Sequence, residues 1–350
     1  MTVDFFGLAR CHLGSEKGLK MLAASPSRVL KEFGLTIDCN SSFRSSTRVL
    51  PLSLDEVTAC IVPLHSHEPI RYWGKTVEVK LLVYGIKKTV LILGSEDELL
   101  AVGNSLRHAG FHVLLTPYLV LPDRDSSKNG FSNRMLRISL QEGGASSQLR
   151  RGLIASCSEN DAITAWLSAY LGWDWLLGSL LGYPTCCIEA FEREWDNARH
   201  IHGGDLVPSI IHRSGIGPFS WHTNALARYF GPCTIQHFPC TFTCSETIKI
   251  SKAVFSKLTL EEPMLAKRIE HVMASPMIYT EASGVFAFPG ANTEFDGGEW
   301  IMSYVTNDVL CTSNETQLAK VITSTDVLVG NTGKVLQVGD DPIAALICFG

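Results

Sequence analysis

The alternation of hydrophobic and polar residues in the first half of the chain is typical of a domain built from strands and helices. The β-branched runs Val77–Tyr84 and Thr89–Leu93 predict two strands. Apolar residues three and four positions apart across Glu96–Ala109 predict an amphipathic helix, which Gly110 ends. A further strand follows at Phe111–Leu115. This region is therefore predicted to run strand, strand, helix, strand.

The pattern changes to helical spacing in the middle of the chain and to short strands towards its end. Asn160–Trp195 has helical spacing, interrupted at Gly182–Pro184. Two more helices are predicted at Trp221–Phe230 and Cys244–Leu258. Beyond Pro276, Gly, Asn and Asp turns separate predicted strands at Met277–Thr280, Val285–Phe288, Trp300–Val305 and Val335–Val338.

Together these patterns predict an α/β or α+β fold in three parts. Residues 1–150 form a mixed N-terminal α/β domain, and Pro122–Asn133, which is rich in Asp, Ser, Asn and Gly, is a loop that closes this domain or an excursion from it. Residues 151–275 form a helical, cysteine-rich, metal-binding domain. Residues 276–350 form a strand-rich C-terminal segment that packs back on one of the other two parts.

Composition and charge narrow the classes of function. A chain of 350 residues that is 45% hydrophobic and 19% charged is typical of a folded protein with a sizeable core. Its formal net charge of -5 provides no field that attracts phosphates, so nucleic acid is not expected as a partner. The most apolar stretch, Ala162–Leu181, contains Asp174, which favours a buried helix over a membrane span. No membrane partner is expected either.

The N-terminus and the cysteine content indicate a cytoplasmic protein with metal or redox chemistry. Asp4 stands where a secretory signal would carry basic residues, and the apolar stretch of such a signal is missing. Thiols in the cytoplasm are kept reduced, so the 11 cysteines favour a metal or redox site over a disulfide framework.

The first of two cysteine motifs is Gly-Tyr-Pro-Thr-Cys-Cys, which ends at Cys187. Pro184 suits the first position of a helix, where its missing N–H would have no partner in any case. The adjacent residues Cys186 and Cys187 would then both lie in the first turn of that helix.

The second motif is His-Phe-Pro-Cys followed, after three residues, by a further cysteine. Thr243 and Glu246 have the spacing of a capping box, which predicts that Cys244 is the first helical residue and that Cys240 lies in the preceding loop. A second helix start therefore also presents sulfur.

Sulfur at two helix starts predicts a metal site. The free N–H groups and the positive end of the helix dipole stabilise thiolate, which is the metal-binding form of cysteine. Two such ends can supply four sulfurs, which suits an iron–sulfur cluster or tetrahedral zinc. Adjacent cysteines seldom both reach one compact ion, so we predict an iron–sulfur cluster of the [4Fe–4S] type on Cys186, Cys187, Cys240 and Cys244, with zinc as the alternative.

Residues near the second motif are candidates for catalysis. His237 could be a ligand, a proton donor or a hydrogen-bonding neighbour of the ligands. His222, Asn224 and Arg228 lie on the predicted helix before the motif, and the last two share a face by their i,i+4 spacing. Arg228 could hold a substrate carboxylate. A solvated helix face is the alternative for these residues.

Several enzyme classes lose support because their motifs are missing. The sequence contains no glycine-rich dinucleotide fingerprint after a strand, no Walker loop and no serine-hydrolase elbow. It also lacks the third cysteine that a radical enzyme of the usual kind would place after Cys240 and Cys244.

The paired motifs GYPxCC and HxPCxxxC, within residues 181–255, resemble those of a poorly characterised prokaryotic family of domains of unknown function. Phe191 after the first motif and Asn224 and Arg228 before the second belong to the same resemblance. The resemblance implies a metal site, with an iron–sulfur cluster as one candidate, and it implies no particular reaction.

The leading functional hypothesis is an iron–sulfur enzyme of small-molecule metabolism or biosynthesis. If one of Cys186 and Cys187 is free, three cysteines leave an iron open to bind and activate substrate, with His237 as proton donor. If all four cysteines bind, electron transfer with a donor protein or a structural role is expected. The alternatives are a structural zinc or cluster site in a binding module, and a metal-free thiol–disulfide oxidoreductase. No residue pattern identifies the substrate or the oligomeric state.

Overall fold

A computed structural model of the protein describes residues 70–122, 135–139, 149–202, 204–215, 217–230, 233–280, 284–296, 299–305, 308–312, 327–330, 335–338 and 341–350. These residues divide into two compact units. The first contains Glu78–Leu121 and Leu136–Tyr183, and the second contains Pro184–Gly350 with the remaining described residues. The three domain boundaries expected from the sequence stay a prediction.

Before residue 184, the described residues form four helices and one four-stranded sheet. Its elements are α1 (Ile70–Val83), β1 (Thr89–Gly94), α2 (Glu96–His108), β2 (His112–Pro122), β3 (Met135–Ser139), β4 (Arg150–Ser156), α3 (Glu159–Leu171) and α4 (Asp174–Leu180). The strand order is β1-β4-β2-β3, and β4 pairs antiparallel with both β1 and β2. Strands β1 and β2 therefore run parallel with β4 between them, connected by α2.

Helices cover both faces of this sheet, and β4 shows the consequence. Leu153 and Ala155 pack in one core cluster with residues of α1 and α2, whereas Ile154 packs in a second cluster with residues of α3. All three side chains are fully buried. Successive side chains of a strand point to opposite faces, so a strand covered on both faces becomes a continuous apolar run.

The described residues of Pro184–Gly350 place helices before strands. Their helices are α5 (Thr185–Ile201), α6 (Val207–Ser214), two 3₁₀ helices (Trp221–Thr223 and Ala225–Tyr229), α7 (Ser245–Glu261) and α8 (Pro263–Met273). Their strands are β5 (Met277–Thr280), β6 (Gly284–Ala287), β7 (Asn292–Asp296), β8 (Glu299–Ser303), β9 (Leu310–Cys311), β10 (Val327–Gly330), β11 (Val335–Val338) and β12 (Asp341–Ile347). They form sheets of order β10-β8-β7 and β11-β12-β5-β6-β9, and the strand pairs in both are antiparallel.

The mixed α+β class and the strand-rich C-terminal part are confirmed by this architecture. A core cluster that includes Ile278, Phe286, Met302 and Leu346 holds the C-terminal strands together. Two of the four C-terminal strand predictions, Met277–Thr280 and Val335–Val338, coincide with β5 and β11, and the other two lie within two residues of β6 and β8.

Two element predictions were wrong. Val77–Tyr84 is the C-terminal half of α1 and its end, not a strand. Its Val-Glu-Val-Lys alternation mimics a strand, but Val79 and Leu82 are both buried in the core on one side of the sheet, and this packing overrides the β preference of the valines. Trp221–Phe230 forms the two 3₁₀ helices instead of one α-helix. The loop predicted at Pro122–Asn133 lies outside the described residues beyond Pro122.

The apolar stretch Ala162–Leu181 is divided between α3 and α4. Gly172 ends α3 with a left-handed backbone, at φ 72°, which a residue with a side chain rarely adopts. Most of α3 is buried, as expected for a core helix. Within the described residues, no helix combines the length and apolarity needed to cross a membrane.

Candidate metal centre

The first cysteine motif starts α5. Pro184 was predicted to be the first residue of this helix, but it is the N-cap, and the helix begins at Thr185. The carbonyl of Pro184 accepts hydrogen bonds from the N–H groups of Cys187 and Ile188. Cys186 and Cys187 are consequently the second and third residues of the helix. The prediction that both thiols lie in its first turn is confirmed.

The second motif ends where α7 begins. Cys244 is the N-cap of this helix, and its N–H donates to the carbonyl of Thr241 at 3.2 Å. The predicted capping box at Thr243 was therefore wrong by one position; the Thr243 hydroxyl lies 3.1 Å from that of Thr241. Cys240 lies in the loop before the helix, as predicted.

These two helix starts bring four sulfur atoms together. The Sγ atom of Cys244 lies 3.7 Å from that of Cys186 and 3.7 Å from that of Cys187, and the two adjacent cysteines are 3.9 Å apart. With Cys240 included, all four Sγ atoms lie within 4.8 Å of one another and could hold a metal ion. A tetrahedral ion with metal–sulfur bonds of about 2.3 Å separates its sulfurs by about 3.8 Å. The three closest sulfurs match this spacing.

Hydrogen bonds from the protein support negative charge on the inner sulfurs. Cys187 is 2% exposed and Cys244 is 6% exposed, whereas Cys186 and Cys240 are half-buried. The backbone N–H of Cys240 donates to Cys187 Sγ at 3.3 Å, and the fully buried Thr247 places its hydroxyl 3.4 Å from the same sulfur. Each contact favours the thiolate form of Cys187 over the thiol.

The thiols nevertheless differ in their tendency to ionise. The hydrogen bond from Cys187, followed by those from Thr247, lowers the pKa of Cys244 to about 4, although burial opposes this. Burial and the neighbouring Cys244 raise the pKa of Cys186 to about 12. The hydrogen bond to Cys244 and burial also raise the pKa of Cys187. The low pKa predicted for cysteines at helix starts is found at Cys244 and not at Cys186 or Cys187. A cation bound at the site would favour the thiolate forms of the latter two.

His237 and Arg228 lie beside the sulfurs and not among them. His237 Nε2 is 2.9 Å from the Thr247 hydroxyl, which itself contacts Cys187. Arg228 donates from Nη2 to the carbonyl of His237 at 2.7 Å, and its guanidinium lies 4.2 Å from the ring centre of Phe238. The structure therefore brings both residues to the loop that carries Cys240.

His222 and Asn224 have their contacts in the helical core. Asn224 is fully buried and donates from Nδ2 to the carbonyl of Met273, so the i,i+4 face predicted for Asn224 and Arg228 is broken at the junction of the 3₁₀ helices. His222 Nδ1 lies 3.0 Å from the hydroxyl of Ser251 on α7. Burial, assisted by the charge of Lys252, lowers the pKa of His222 to about 4.

Two residues that the sequence did not single out contact the site cysteines: Thr247 contacts Cys187, and Arg213 contacts Cys240. Thr247 lies one helical turn after Cys244, and that spacing could have marked it. Arg213 on α6 donates from Nε to the carbonyl of Cys240 at 3.0 Å. Nothing in the sequence pattern around Arg213 indicates this contact, because it joins segments far apart in the chain.

The other described cysteines behave as separate thiols. Cys233 and Cys348 are buried, and burial raises the pKa of Cys348 to about 12. Cys233 donates to the carbonyl of Ile235 at 2.8 Å. Cys157 is exposed.

Comparisons of this chain with protein-family models, with curated proteins and with solved structures found no match. The resemblance of the two motifs to a family of unknown function accordingly stays a prediction. The arrangement of the cysteines defines the class of site, a four-cysteine group able to hold a metal ion.

Proposed function

We propose that this chain is a metalloprotein in which Cys186, Cys187, Cys240 and Cys244 bind a single zinc ion. The observation that carries the proposal is the Sγ spacing of 3.7 to 3.9 Å among three of the four sulfurs. All four ligands are thiolates, which soft-ligand metals such as zinc prefer, and a closed four-cysteine site is typical of structural zinc.

The proposed ion joins two segments that are distant in the sequence. Cys186 and Cys187 belong to α5, whereas Cys240 and Cys244 belong to the loop and the N-cap of α7. A structural ion contributes its binding free energy to folding, because the unfolded chain has no preformed site. The role supported best is therefore a cross-link that holds the helical part of the second unit in one arrangement.

The iron–sulfur cluster predicted from the sequence is the alternative occupant. In a [4Fe–4S] cluster each cysteine binds a different iron, so the sulfurs stand farther apart than they do around one ion. The adjacent cysteines already converge within 3.9 Å, and a cluster would require them to separate. The spacing supports a single ion more than a cluster.

One observation favours a second candidate function, an enzyme that binds a small molecule at an open metal position. Cys186 and Cys240 are half-buried, so an incoming ligand can approach the site from their side. An enzyme of this type would act in the cytoplasm with a small-molecule substrate, an electron-donor protein as a further partner and His237 as proton donor. In this candidate one cysteine leaves the metal when substrate binds.

The experiment that tests the proposal is anaerobic purification followed by an absorption spectrum and by zinc, iron and acid-labile sulfide analysis of one sample. We expect one zinc ion per chain and a spectrum without visible bands. Replacement of zinc by Co²⁺ should then give the visible bands of a tetrahedral tetrathiolate site. A brown protein with matched iron and sulfide would overturn the zinc assignment in favour of a cluster, and a metal-free protein would overturn the metal site.

A further inference from the structure

We propose that Arg213 is a positioning residue that holds Cys240 in its metal-binding orientation and ties it to the helix that carries the other motif. This inference rests on the proposed metal site. Arg213 stands near the end of α6, a helix that contributes no cysteine to the site. Its guanidinium nevertheless contacts both segments that do contribute.

Two nitrogens of the guanidinium contact the loop of the second motif and the helix that begins at the first motif. Arg213 Nε donates to the carbonyl of Cys240 at 3.0 Å. Its Nη1 forms an ion pair with Glu194 Oε1 at 2.8 Å. Glu194 lies on α5, about two helical turns after Cys187. A single side chain therefore bridges the helix of the vicinal cysteines and the loop of Cys240.

The charges in this bridge are partly shielded from water. The side chains of Arg213 and Glu194 are 22% and 23% exposed. Burial raises the pKa of Glu194, but the hydrogen bond from Arg193 and the charges of Arg213 and Arg193 outweigh it, and the pKa is lowered overall. Glu194 therefore carries its charge at neutral pH, and the ion pair is formed under the conditions in which zinc binds.

Both backbone groups of Cys240 are fixed by contacts with the rest of the centre. Its carbonyl accepts from Arg213, and its N–H donates to Cys187 Sγ at 3.3 Å. The next residue of α6 adds to this, because the Ser214 hydroxyl accepts the N–H of Phe242 at 2.7 Å. When the groups on both sides of a Cα atom are held, the direction of its side chain is restricted. This is how Arg213 would direct the Cys240 sulfur towards the other three.

A purely structural ion pair would stabilise the fold without affecting the metal, and the chain offers a control for that case. Arg193 also pairs with Glu194, at 3.1 Å, but its side chain is 62% exposed. Within the described part of the chain, the Arg193 guanidinium donates to Glu194 and not to Cys240. Removing Arg193 therefore removes an ion pair to the same carboxylate and leaves the hydrogen bond to Cys240 in place.

The test compares zinc affinity, by competition with a chelator, and the Co²⁺ spectrum in the full-length wild type, R213M, R213K and R193M. We expect R213M to bind zinc about 10–100-fold more weakly, which is the usual effect of losing a residue that orients a metal ligand. Its Co²⁺ bands should also shift. R213K should recover part of the affinity, because lysine can donate to only part of this arrangement, and R193M should match the wild type within about twofold.

The outcomes separate this inference from the proposal beneath it. Wild-type affinity and an unchanged Co²⁺ spectrum in R213M would overturn the positioning role alone. Absence of metal from the wild type would overturn the metal site and the positioning role together. If R213M does not fold, R213K and E194Q carry the test: both are expected to weaken zinc binding by several-fold, and wild-type affinity in both would overturn the inference.

Discussion

The sulfur of Cys187 lies 3.7 Å from the sulfur of Cys244, although the two residues are 57 positions apart in the chain. Each residue stands at the start of a helix, and both are almost completely buried. The hydrogen bond between the two sulfurs is the largest cause of the low pKa of Cys244. Two thiolates this close together would repel each other. The repulsion is avoided when one of the two thiols keeps its proton or when a cation binds between them.

The first prediction concerns the loss of one inner ligand. Cys187→Ser or Cys244→Ser should abolish tight zinc binding and lower the free energy of unfolding, because a metal present at several hundred times its Kd stabilises the folded state by about 3–4 kcal/mol. For a unit of this size the corresponding decrease in Tm is about 6–16 °C. Zinc content by elemental analysis and thermal unfolding by circular dichroism measure both effects.

Cys157→Ser is the matched control for this substitution, because Cys157 is exposed and lies outside the four-cysteine group. Its zinc content and its Tm should equal those of the wild type. A Cys244→Ser variant that keeps full zinc content and wild-type Tm would contradict the assignment of Cys244 as a ligand.

The second prediction concerns the hydroxyl of Thr247. Thr247→Val preserves the shape of the side chain but removes the donor that faces Cys187 Sγ, so zinc affinity should fall by about 10-fold or more. A thiolate that has lost a hydrogen bond is also a stronger nucleophile, so the zinc-bound form of this variant should be alkylated faster by iodoacetamide. Chelator competition and mass spectrometry of the alkylated protein measure the two quantities.

Thr247→Ser keeps the hydroxyl and should restore zinc affinity close to the wild-type value. If Thr247→Ser loses as much affinity as Thr247→Val, the methyl group and not the hydroxyl matters. The hydrogen bond from Thr247 to Cys187 would then have no part in zinc binding.

The sequence predicted those features of the site that depend on residues close together in the chain. The placement of Cys186, Cys187 and Cys244 follows from signals within a few residues, namely a proline and a capping pattern, and it was predicted to within one position. That the adjacent cysteines converge within 3.9 Å was not predicted. The expectation that adjacent cysteines diverge considers those two side chains alone. In the structure, Cys244 contacts both of their sulfurs.

Long-range contacts explain the remaining errors. Val79 alternates with polar neighbours as a strand residue would, yet it is buried in a helix because the sheet offers it a surface. Asn224 has the spacing of a surface residue beside Arg228, yet it is committed to the carbonyl of Met273. Arg213 carries no local signal, because its partners Glu194 and Cys240 are brought to it by the fold. Such partners cannot be read from periodicity.

The third prediction concerns pH. Burial lowers the pKa of His222 from 6.5 to about 4, so between these values the unfolded chain binds a proton that the folded protein does not. Unfolding then takes up a proton, and the free energy of unfolding falls as pH decreases from about 6.5 towards 4. The contribution of His222 to this loss is on the order of 2–3 kcal/mol. Urea unfolding of the metal-free protein at pH 7 and pH 5 measures it without interference from acid release of metal.

The comparison for this prediction is His222→Gln, which keeps a hydrogen-bonding group near Ser251 but does not titrate. All other titrating groups are common to both proteins, so the difference in pH dependence reports on His222. An equal loss of stability between pH 7 and pH 5 in wild type and variant would show that His222 is not kept neutral by its surroundings.

The fourth prediction concerns the close approach of β2 and β4 at Gly152. A Cβ atom at this position would lie 2.6 Å from Thr116 Cγ2 and 3.2 Å from Leu91 Cδ1. The Thr116 side chain cannot turn away easily, because its hydroxyl accepts from the N–H of Gly152 and donates to the carbonyl of Tyr118. Gly152→Ala should therefore cost about 1–3 kcal/mol of overpacking strain, measurable as a lower urea midpoint.

The Thr116→Ser background tests this explanation, because serine keeps the hydroxyl and lacks the Cγ2 methyl group that stands closest to the added Cβ. In that background Gly152→Ala should cost clearly less than it does in the wild type. The coupling between the two substitutions, obtained from a double-mutant cycle, should therefore favour the double variant over the sum of the single ones. Purely additive effects would mean that the cost arises from the backbone or from Leu91, and the steric account centred on Thr116 would have to be abandoned.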